Sequence, residues 1–133
     1  MEKRQSQLRS YAAALLPHLR RSLPSFQCPI QYAASHSAGD IQTYCAGVGQ
    51  DITLAQADAD GVPHPYNWYS AVGTLHHQVM GIYHDMVGAV VNWQTASDNG
   101  DPGSQSQAVS DMTQARDSMN AMIARVASTA RRG

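Results

Sequence analysis

Residues 66–96 carry the longest periodic pattern in the sequence, and the pattern has the spacing of an α-helix. Apolar side chains recur there at steps of three and four residues, at Trp68, Val72, Leu75, Val79, Ile82, Met86, Val90 and Trp93. This spacing is typical of a helix that packs along another helix, because it puts the apolar residues on one side. A helix of roughly 31 residues would be about 46 Å long. The sequence therefore predicts a long third helix that organises the rest of the fold.

The remainder of the chain predicts further helices and no strands. No segment alternates apolar and polar residues as a half-buried strand does. A length of 133 residues suits one domain, and hydrophobic residues make up 43% of it, enough for one core. We predict an all-α fold, a single domain over 1–133 in the form of a bundle of about four helices. The helices are expected over 2–23, 40–58, 66–96 and 104–131, with a turn-rich linker over 97–103.

Local signals predict where these helices begin and end. Pro17 is expected to kink or end the first helix, since proline lacks a hydrogen-bond donor and clashes with the preceding turn. Asp40 is predicted to cap the beginning of the second helix. Ser104 and Gln107 have the spacing of a capping box, which predicts that the last helix begins near Ser104.

The formal charges divide the chain into three parts. Residues 1–21 hold five Lys or Arg against one Glu, and residues 116–133 hold four Arg against one Asp, which gives +4 and +3. The segment 22–115 holds eight Asp and no Lys or Arg, so the total is -1. The basic ends could neutralise nucleic-acid phosphates, or the terminal helices could pack against the acidic middle. The phosphate-binding candidates are Arg4, Arg9, Arg20, Arg21, Arg131 and Arg132.

Large apolar side chains suggest one kind of contact surface. Trp68 and Trp93 face the same way from the two ends of the predicted third helix, either as interface anchors or as core residues. Met112 and Met119 lie in the apolar seam of the last helix, and their flexible side chains make this seam adaptable. Such a seam suits a surface that repacks against partners, and it also suits an ordinary core.

A stripe of small and imidazole side chains on the third helix suggests another contact. It includes His77, Gly81, His84 and Gly88. Glycine inside a helix costs about 1 kcal/mol relative to alanine, so the stripe indicates a close approach by another helix of this chain or of a copy. If two copies crossed antiparallel near Gly81, His77 of one would approach His84 of the other. The alternative is a surface helix that tolerates glycine.

The sequence contains no complete catalytic or metal-binding motif. None of the six histidines has the His-x-x-x-His spacing of zinc ligands on one helix. His76, Met80 and His84 rise along one helix face, and imidazole with a thioether can bind copper(I) or haem iron. That set is the alternative to our expectation of no metal and no cofactor. A single glutamate excludes a glutamate-rich di-iron bundle. We expect no enzyme activity.

The remaining signals concern redox state and location. Cys28 and Cys45 are expected to be buried free thiols, because isolated cysteines without an export signal are more often thiols than a disulfide. The apolar run over residues 11–16 is shorter than a signal-peptide core, and no stretch is apolar enough to cross a bilayer. We therefore expect a cytoplasmic protein, or one incorporated in a particle assembled there.

These observations lead to one hypothesis of function and two alternatives. The leading hypothesis is a non-catalytic helical protein that associates with itself or with other components, as a structural part of a larger particle such as a phage or another assembly. The first alternative is a regulatory or inhibitory module whose basic ends bind nucleic acid or an acidic protein surface. The second is a bundle that binds a metal or haem through histidine and methionine.

Overall fold

A computed structural model describes residues 2–33, 45, 48–62 and 70–131 of the chain. These residues form helices and, over the ranges just given, no strand. The helices are α1 (Glu2–Ala33), α2 (Val48–Asp60), α3 (Ala71–Asp98) and α4 (Pro102–Arg131). The predicted all-α bundle of about four helices is confirmed, with four helices in the described part of the chain.

α1 and α3 run in the same direction. The Tyr11 hydroxyl is hydrogen-bonded to Nδ1 of His76 over 2.6 Å, and the Ser22 hydroxyl is hydrogen-bonded to the Tyr83 hydroxyl over 2.9 Å. Because the residue numbers on both helices increase together, the two helices are parallel. α2 packs against both of them, and Asp60 at its end lies beside His76.

α4 runs in the opposite direction. The turn at 99–101 reverses the chain, and Nη1 of Arg125 then donates to Oε1 of Gln78 on α3 over 2.8 Å. α4 packs extensively against α1 as well as α3. The beginning of α1 and the end of α4 therefore lie at one end of the bundle, which we call the terminal end. The turn at 99–101 marks the opposite end, which we call the hairpin end.

The core is built from the predicted apolar seams. On α3 the seam residues at 72, 75, 79, 86, 90 and 93 are buried, as the periodicity predicts, whereas Ile82 is half-buried and Trp68 lies outside the described residues. The other two long helices contribute Tyr11, Leu15, Leu19 and Phe26 from α1 and Met112, Met119 and Val126 from α4. Burial of a side chain of this kind stabilises the fold by about 1.5–3 kcal/mol. Within the described ranges, no helix has an apolar stretch long enough to span a membrane.

α1 is longer than predicted. It spans 32 residues, exceeds the 28 residues of α3, and continues through Pro17, Pro24 and Pro29. The expected end by residue 23 is wrong, and a physical reason is visible at the first two prolines, which are both exposed. Each deprives the carbonyl four residues earlier of its helical partner, and those carbonyls belong to Ala13 and Arg20, which are also exposed. Water can satisfy them there, while core contacts on the opposite side hold the helix together.

The beginning of α4 also differs from the prediction. Pro102 is its first residue, where a missing N–H costs little. The Asp101 carboxylate accepts hydrogen bonds from the backbone N–H of Ser104 over 3.2 Å and from its hydroxyl over 2.7 Å. The predicted capping box of Ser104 and Gln107 is therefore wrong, because Ser104 donates to the cap. Gly100, with φ 63°, supplies the left-handed residue of the turn.

The other helix boundaries shift by several residues. α3 begins at Ala71, not at 66, and Ser70 caps it by accepting a hydrogen bond from the backbone N–H of Gly73 over 2.9 Å. α2 begins at Val48, not at 40. Asp40 and the stretch 66–69 lie outside the described residues.

Cys28 on α1 and Cys45 form a disulfide, with their Cα atoms 6.0 Å apart. The expectation of two free thiols is wrong. The bond links residues separated by 17 positions and attaches Cys45, which precedes α2 in the chain, to α1. A count of two cysteines carries no information on distance, so the sequence could not decide between the two states.

Candidate functional site

The outer side of α3 is not covered by any other described helix. His77, His84 and Gly88 are exposed, and Gly81 is half-buried. A Cβ atom added at either glycine would meet no neighbouring atom within 4 Å. Val91 lies on the same side and is 52% exposed. We call these five residues the glycine face.

The sequence left open whether another helix of the same chain approaches the glycines of this face. No helix in the described part of the chain approaches Gly81 or Gly88 closely enough to require a glycine. Alanine at either position would favour the helix by about 1 kcal/mol. Within the described chain, nothing therefore offsets the cost of these two residues.

A groove runs beside the glycine face, between α3 and α4. Its central part has a volume of about 420 Å³, and its lining includes His84, Asp85 and Gly88 from α3 and Asp111, Gln114 and Ser118 from α4. A second part of about 310 Å³ continues toward the hairpin end, and the two parts share Asn92 and Asp111. The groove is open to solvent, and Asp85, Asp101 and Asp111 make its wall acidic.

Along α4, the residues beside the groove form a row with a spacing of seven. Asp111 and Ser118 line the groove, and Arg125 is the next position in the row. Seven residues of α-helix fall about 20° short of two turns, so the three side chains leave nearly the same side of α4. The row is thus acidic toward the hairpin end and basic toward the terminal end.

In the described part of the chain, positive and negative side chains rarely form ion pairs with each other. Among the described residues, one ion pair joins an arginine to an aspartate, between Arg116 and Asp117 at 3.1 Å. The basic terminal helices do pack against the acidic middle segment, as one alternative expected, but without ion pairs between the described parts of the two. The described charges that have no ion-pair partner include Arg9, Arg125, Arg131, Asp85, Asp98 and Asp111.

A buried chain of hydrogen bonds joins three helices near the terminal end. His76 is 7% exposed, and its Nε2 lies 2.7 Å from a carboxylate oxygen of Asp60. With Nε2 protonated, the ring donates to that carboxylate, and Nδ1 then accepts from the Tyr11 hydroxyl over 2.6 Å. Burial, together with the charge of Asp60, raises the pKa of Tyr11, which keeps the hydroxyl a neutral donor. The network fixes the positions of α1, α2 and α3 relative to one another.

A second buried network joins α1 to α3. The Ser22 hydroxyl donates to the carbonyl of Leu19 over 2.8 Å and accepts from the Tyr83 hydroxyl. Burial raises the pKa of Tyr83. The ring of Phe26 packs edge-on against Tyr83, with centroids 5.7 Å apart. Sequence reasoning missed both networks, although a polar-tipped residue in an apolar seam signals that a buried partner is needed.

Three residues predicted at an interface belong to the core. Trp93 is 1% exposed, and Met112 and Met119 are fully buried. Their prediction as contacts to a partner is wrong in this fold, and the core alternative for Trp93 is correct. The Trp93 indole Nε1 is buried without a hydrogen-bond partner among the described residues. Trp68, the other predicted anchor, lies outside those residues.

The alternative metal ligands His76, Met80 and His84 have different surroundings. His76 is buried with both ring nitrogens hydrogen-bonded, Met80 is half-buried, and His84 is exposed. Coordination by His76 would break one of those hydrogen bonds. In the described part of the chain, no three or more His, Cys, Asp or Glu side chains are grouped so as to hold a metal ion.

The six phosphate-binding candidates separate into three pairs. One pair lies at the terminal end, one lies on the exposed side of α1, and one has no described side chain: Arg9 and Arg131, Arg20 and Arg21, and Arg4 and Arg132. About 17 Å of helix separates Arg9 from Arg20. The fold therefore unites the start of α1 with the end of α4 but keeps the second pair apart from them.

No model of a known protein family matches the chain, and neither a curated protein nor a solved structure is significantly similar to it. Three described features are open to a partner: the glycine face, the adjoining groove and the charged side chains that have no ion-pair partner among the described residues. All three lie on the outer surface of the bundle, where a macromolecular partner can reach them.

Proposed function

We propose that this protein is a non-catalytic helical module that associates with copies of itself as a structural part of a larger assembly. The glycine face carries the proposal. Gly81 and Gly88 each cost about 1 kcal/mol of helix stability. No contact within the described chain offsets that cost. A second helix against them would do so, because the missing Cβ atoms let two backbones come close together.

Two further observations favour a second copy as the partner. The described chain carries opposite charges that it does not pair internally, and surfaces of complementary potential favour specific association. Val91, 52% exposed on the glycine face, adds apolar area to the contact. A twofold dimer uses the same surface on both copies and is the commonest form of self-association.

Oligomeric state, measured by sedimentation velocity and native mass spectrometry, tests the proposal. Gly81→Leu places a side chain where the second backbone would lie, so we expect it to abolish association. The variant should still fold, because no neighbouring atom lies within 4 Å of the added Cβ. Ala14→Leu, at an exposed position of α1, is the control and should associate as the parent does. A monomeric parent, or normal association by Gly81→Leu, would contradict the proposal.

Nucleic-acid binding is the second candidate function, because the fold brings the basic start of α1 to the same end as Arg131. Fluorescence anisotropy with a labelled DNA duplex tests it. Replacing Arg131 and Arg132 with alanine should weaken binding and flatten its salt dependence. Equal affinity and an equal salt slope in the variant would exclude this function for the terminal end.

The disulfide bears on location. Disulfides persist in oxidising compartments and are rare in the cytosol. The bond between Cys28 and Cys45 therefore favours an oxidising compartment over the cytoplasm that the sequence suggests. Alkylation of thiols in intact cells, followed by mass measurement, separates the two: alkylation of both cysteines would indicate the cytoplasm.

A further inference from the structure

We propose that the second copy lies antiparallel along the glycine face, about a twofold axis between His84 and Asp85, so that Asp111 of each copy pairs with Arg125 of the other. This inference rests on the proposed self-association and specifies its interface. It makes the groove and the end of α4 two halves of one contact surface.

The charges on α4 are self-complementary about Ser118. Asp111 lies seven residues before Ser118, and Arg125 lies seven residues after it. Each charge is therefore about 10.5 Å from Ser118 along the helix, in opposite directions and on nearly the same side. A twofold axis beside Ser118 places the carboxylate of one copy opposite the guanidinium of the other. Arginine suits such a contact because its planar fork can bind a carboxylate through two hydrogen bonds.

The glycines on α3 are arranged about the same level. The midpoint between Gly81 and Gly88 falls between His84 and Asp85. His84 and Asp85 line the central groove together with Ser118, so this midpoint and the midpoint of the α4 charges lie at one height of the bundle. Two features that are independent in the sequence therefore share one centre.

One axis through that centre satisfies several contacts at once. Gly81 of one copy then opposes Gly88 of the other, which brings the two α3 backbones together without Cβ atoms between them. His84 of one copy opposes Asp85 of the other, an imidazole against a carboxylate. The axis keeps both copies of α4 on the same side of the α3 pair, so each Arg125 approaches the partner groove that contains Asp111.

The same charges cannot pair within one copy. Asp111 and Arg125 are 14 positions apart on a single helix, which is about 21 Å. Asp111 accepts a hydrogen bond from the Gln107 side chain, and Arg125 donates to Gln78, so neither has a charged partner among the described residues.

Charge exchange on the full chain tests the pairing. Asp111→Arg and Arg125→Asp each place like charges opposite one another, and each should weaken dimerisation by about tenfold or more in sedimentation equilibrium. The double variant Asp111→Arg/Arg125→Asp restores opposite charges and should regain the parent affinity. Arg20→Asp and Asp51→Arg, at exposed positions of α1 and α2, are the matched controls and should change little. Circular dichroism establishes that each variant is folded.

Disulfide trapping tests the register. Residues 77 and 92 are equally distant from the proposed axis and both are exposed. A mixture of His77→Cys and Asn92→Cys chains, which keeps both glycines, should therefore form disulfide-linked heterodimers under mild oxidation. Neither variant alone should do so, because each new thiol would lie about 22 Å along the helix from its symmetry mate.

The outcomes separate the two proposals. A parent that stays monomeric overturns both. If the parent associates but the single charge reversals do not weaken dimerisation, or the double variant does not regain the parent affinity, the pairing is overturned and the proposed self-association is not. Loss of DNA-duplex binding by Arg125→Asp with unchanged self-association also overturns the pairing, and assigns Arg125 to nucleic acid.

Discussion

Reduction of the disulfide between Cys28 and Cys45 should destabilise the fold by about 3 kcal/mol. The bond joins residues separated by 17 positions. In the loop-entropy treatment, a cross-link over that length removes about 10.5 cal/mol/K of entropy from the unfolded chain, or about 3 kcal/mol near 25 °C. Since domains of this kind are stable by only about 5–15 kcal/mol, the bond would supply a large fraction of the total.

Urea unfolding, followed by far-ultraviolet circular dichroism with and without reductant, measures this contribution. Linear extrapolation gives the free energy of unfolding in each condition. The double variant Cys28→Ala/Cys45→Ala is the control. Its stability should be close to that of the reduced parent and should not respond to reductant.

A difference between oxidised and reduced parent of less than about 1 kcal/mol would refute the loop-entropy reasoning, because that treatment predicts about three times as much. Mass measurement after alkylation must accompany the titration, since two alkylated cysteines in the untreated protein would mean that the bond does not form at all.

Three other features of the structure predict effects on stability. Tyr11→Phe leaves Nδ1 of His76 without the tyrosine hydroxyl and should lower the free energy of unfolding, measured by urea titration, by about 1–2 kcal/mol. An unchanged value would show that this hydrogen bond does not stabilise the fold. Hydrogen bonds from Ser104 lower the pKa of Asp101, so the ionised carboxylate stabilises the fold above about pH 4. Asp101→Ala should therefore lower the thermal midpoint at neutral pH, and its difference from the parent should disappear as the pH falls below about 4. A difference in thermal midpoint that does not change with pH would contradict this. Trp93→Phe removes ring volume and a buried N–H that has no partner among the described residues, so it should lower the free energy of unfolding by less than about 1.5 kcal/mol, against about 3–5 kcal/mol for Trp93→Ala.

The apolar seams were the part of the fold most accessible from the sequence. Their three-four spacing identified the buried side of α3, because a helix buries whichever side is apolar. The extent of α1 was not accessible in the same way. Pro17 is a strong local signal against a helix, but its cost falls on exposed backbone, and the sequence does not reveal which side is hydrated.

Competing local signals misplaced the beginning of α4. Ser104 with Gln107, and Asp101 with Pro102, are both acceptable starts for a helix by their residue types. In the structure the chain takes the earlier one, where Pro102 occupies the first position and the Asp101 carboxylate accepts two bonds from Ser104. Choosing between them requires the turn geometry, including the positive φ of Gly100.

The candidate site was only half visible in the sequence. Gly81 and Gly88 were identifiable because glycine is costly in any helix, whatever surrounds it. Asp111 and Arg125 could not be assigned to the candidate site from the sequence, because the centre they share with the glycines depends on how α4 is aligned along α3. The bond between Tyr11 and His76 was out of reach for the same reason, since it joins residues 65 positions apart.

The cost of the two glycines also sets a minimum for the free energy that association must supply. Each costs about 1 kcal/mol relative to alanine, so a dimer forgoes about 4 kcal/mol, half of the roughly 8 kcal/mol that a micromolar dissociation constant represents. Close contact of the α3 backbones at four glycines must offset that cost, and a Cβ atom at those positions would prevent it. Gly81→Ala/Gly88→Ala should therefore raise the free energy of unfolding of the monomer by about 2 kcal/mol and weaken association. Urea titration of the dilute monomer and sedimentation equilibrium measure the two effects separately, and a variant that gained stability without losing affinity would show that the glycine face is not the contact.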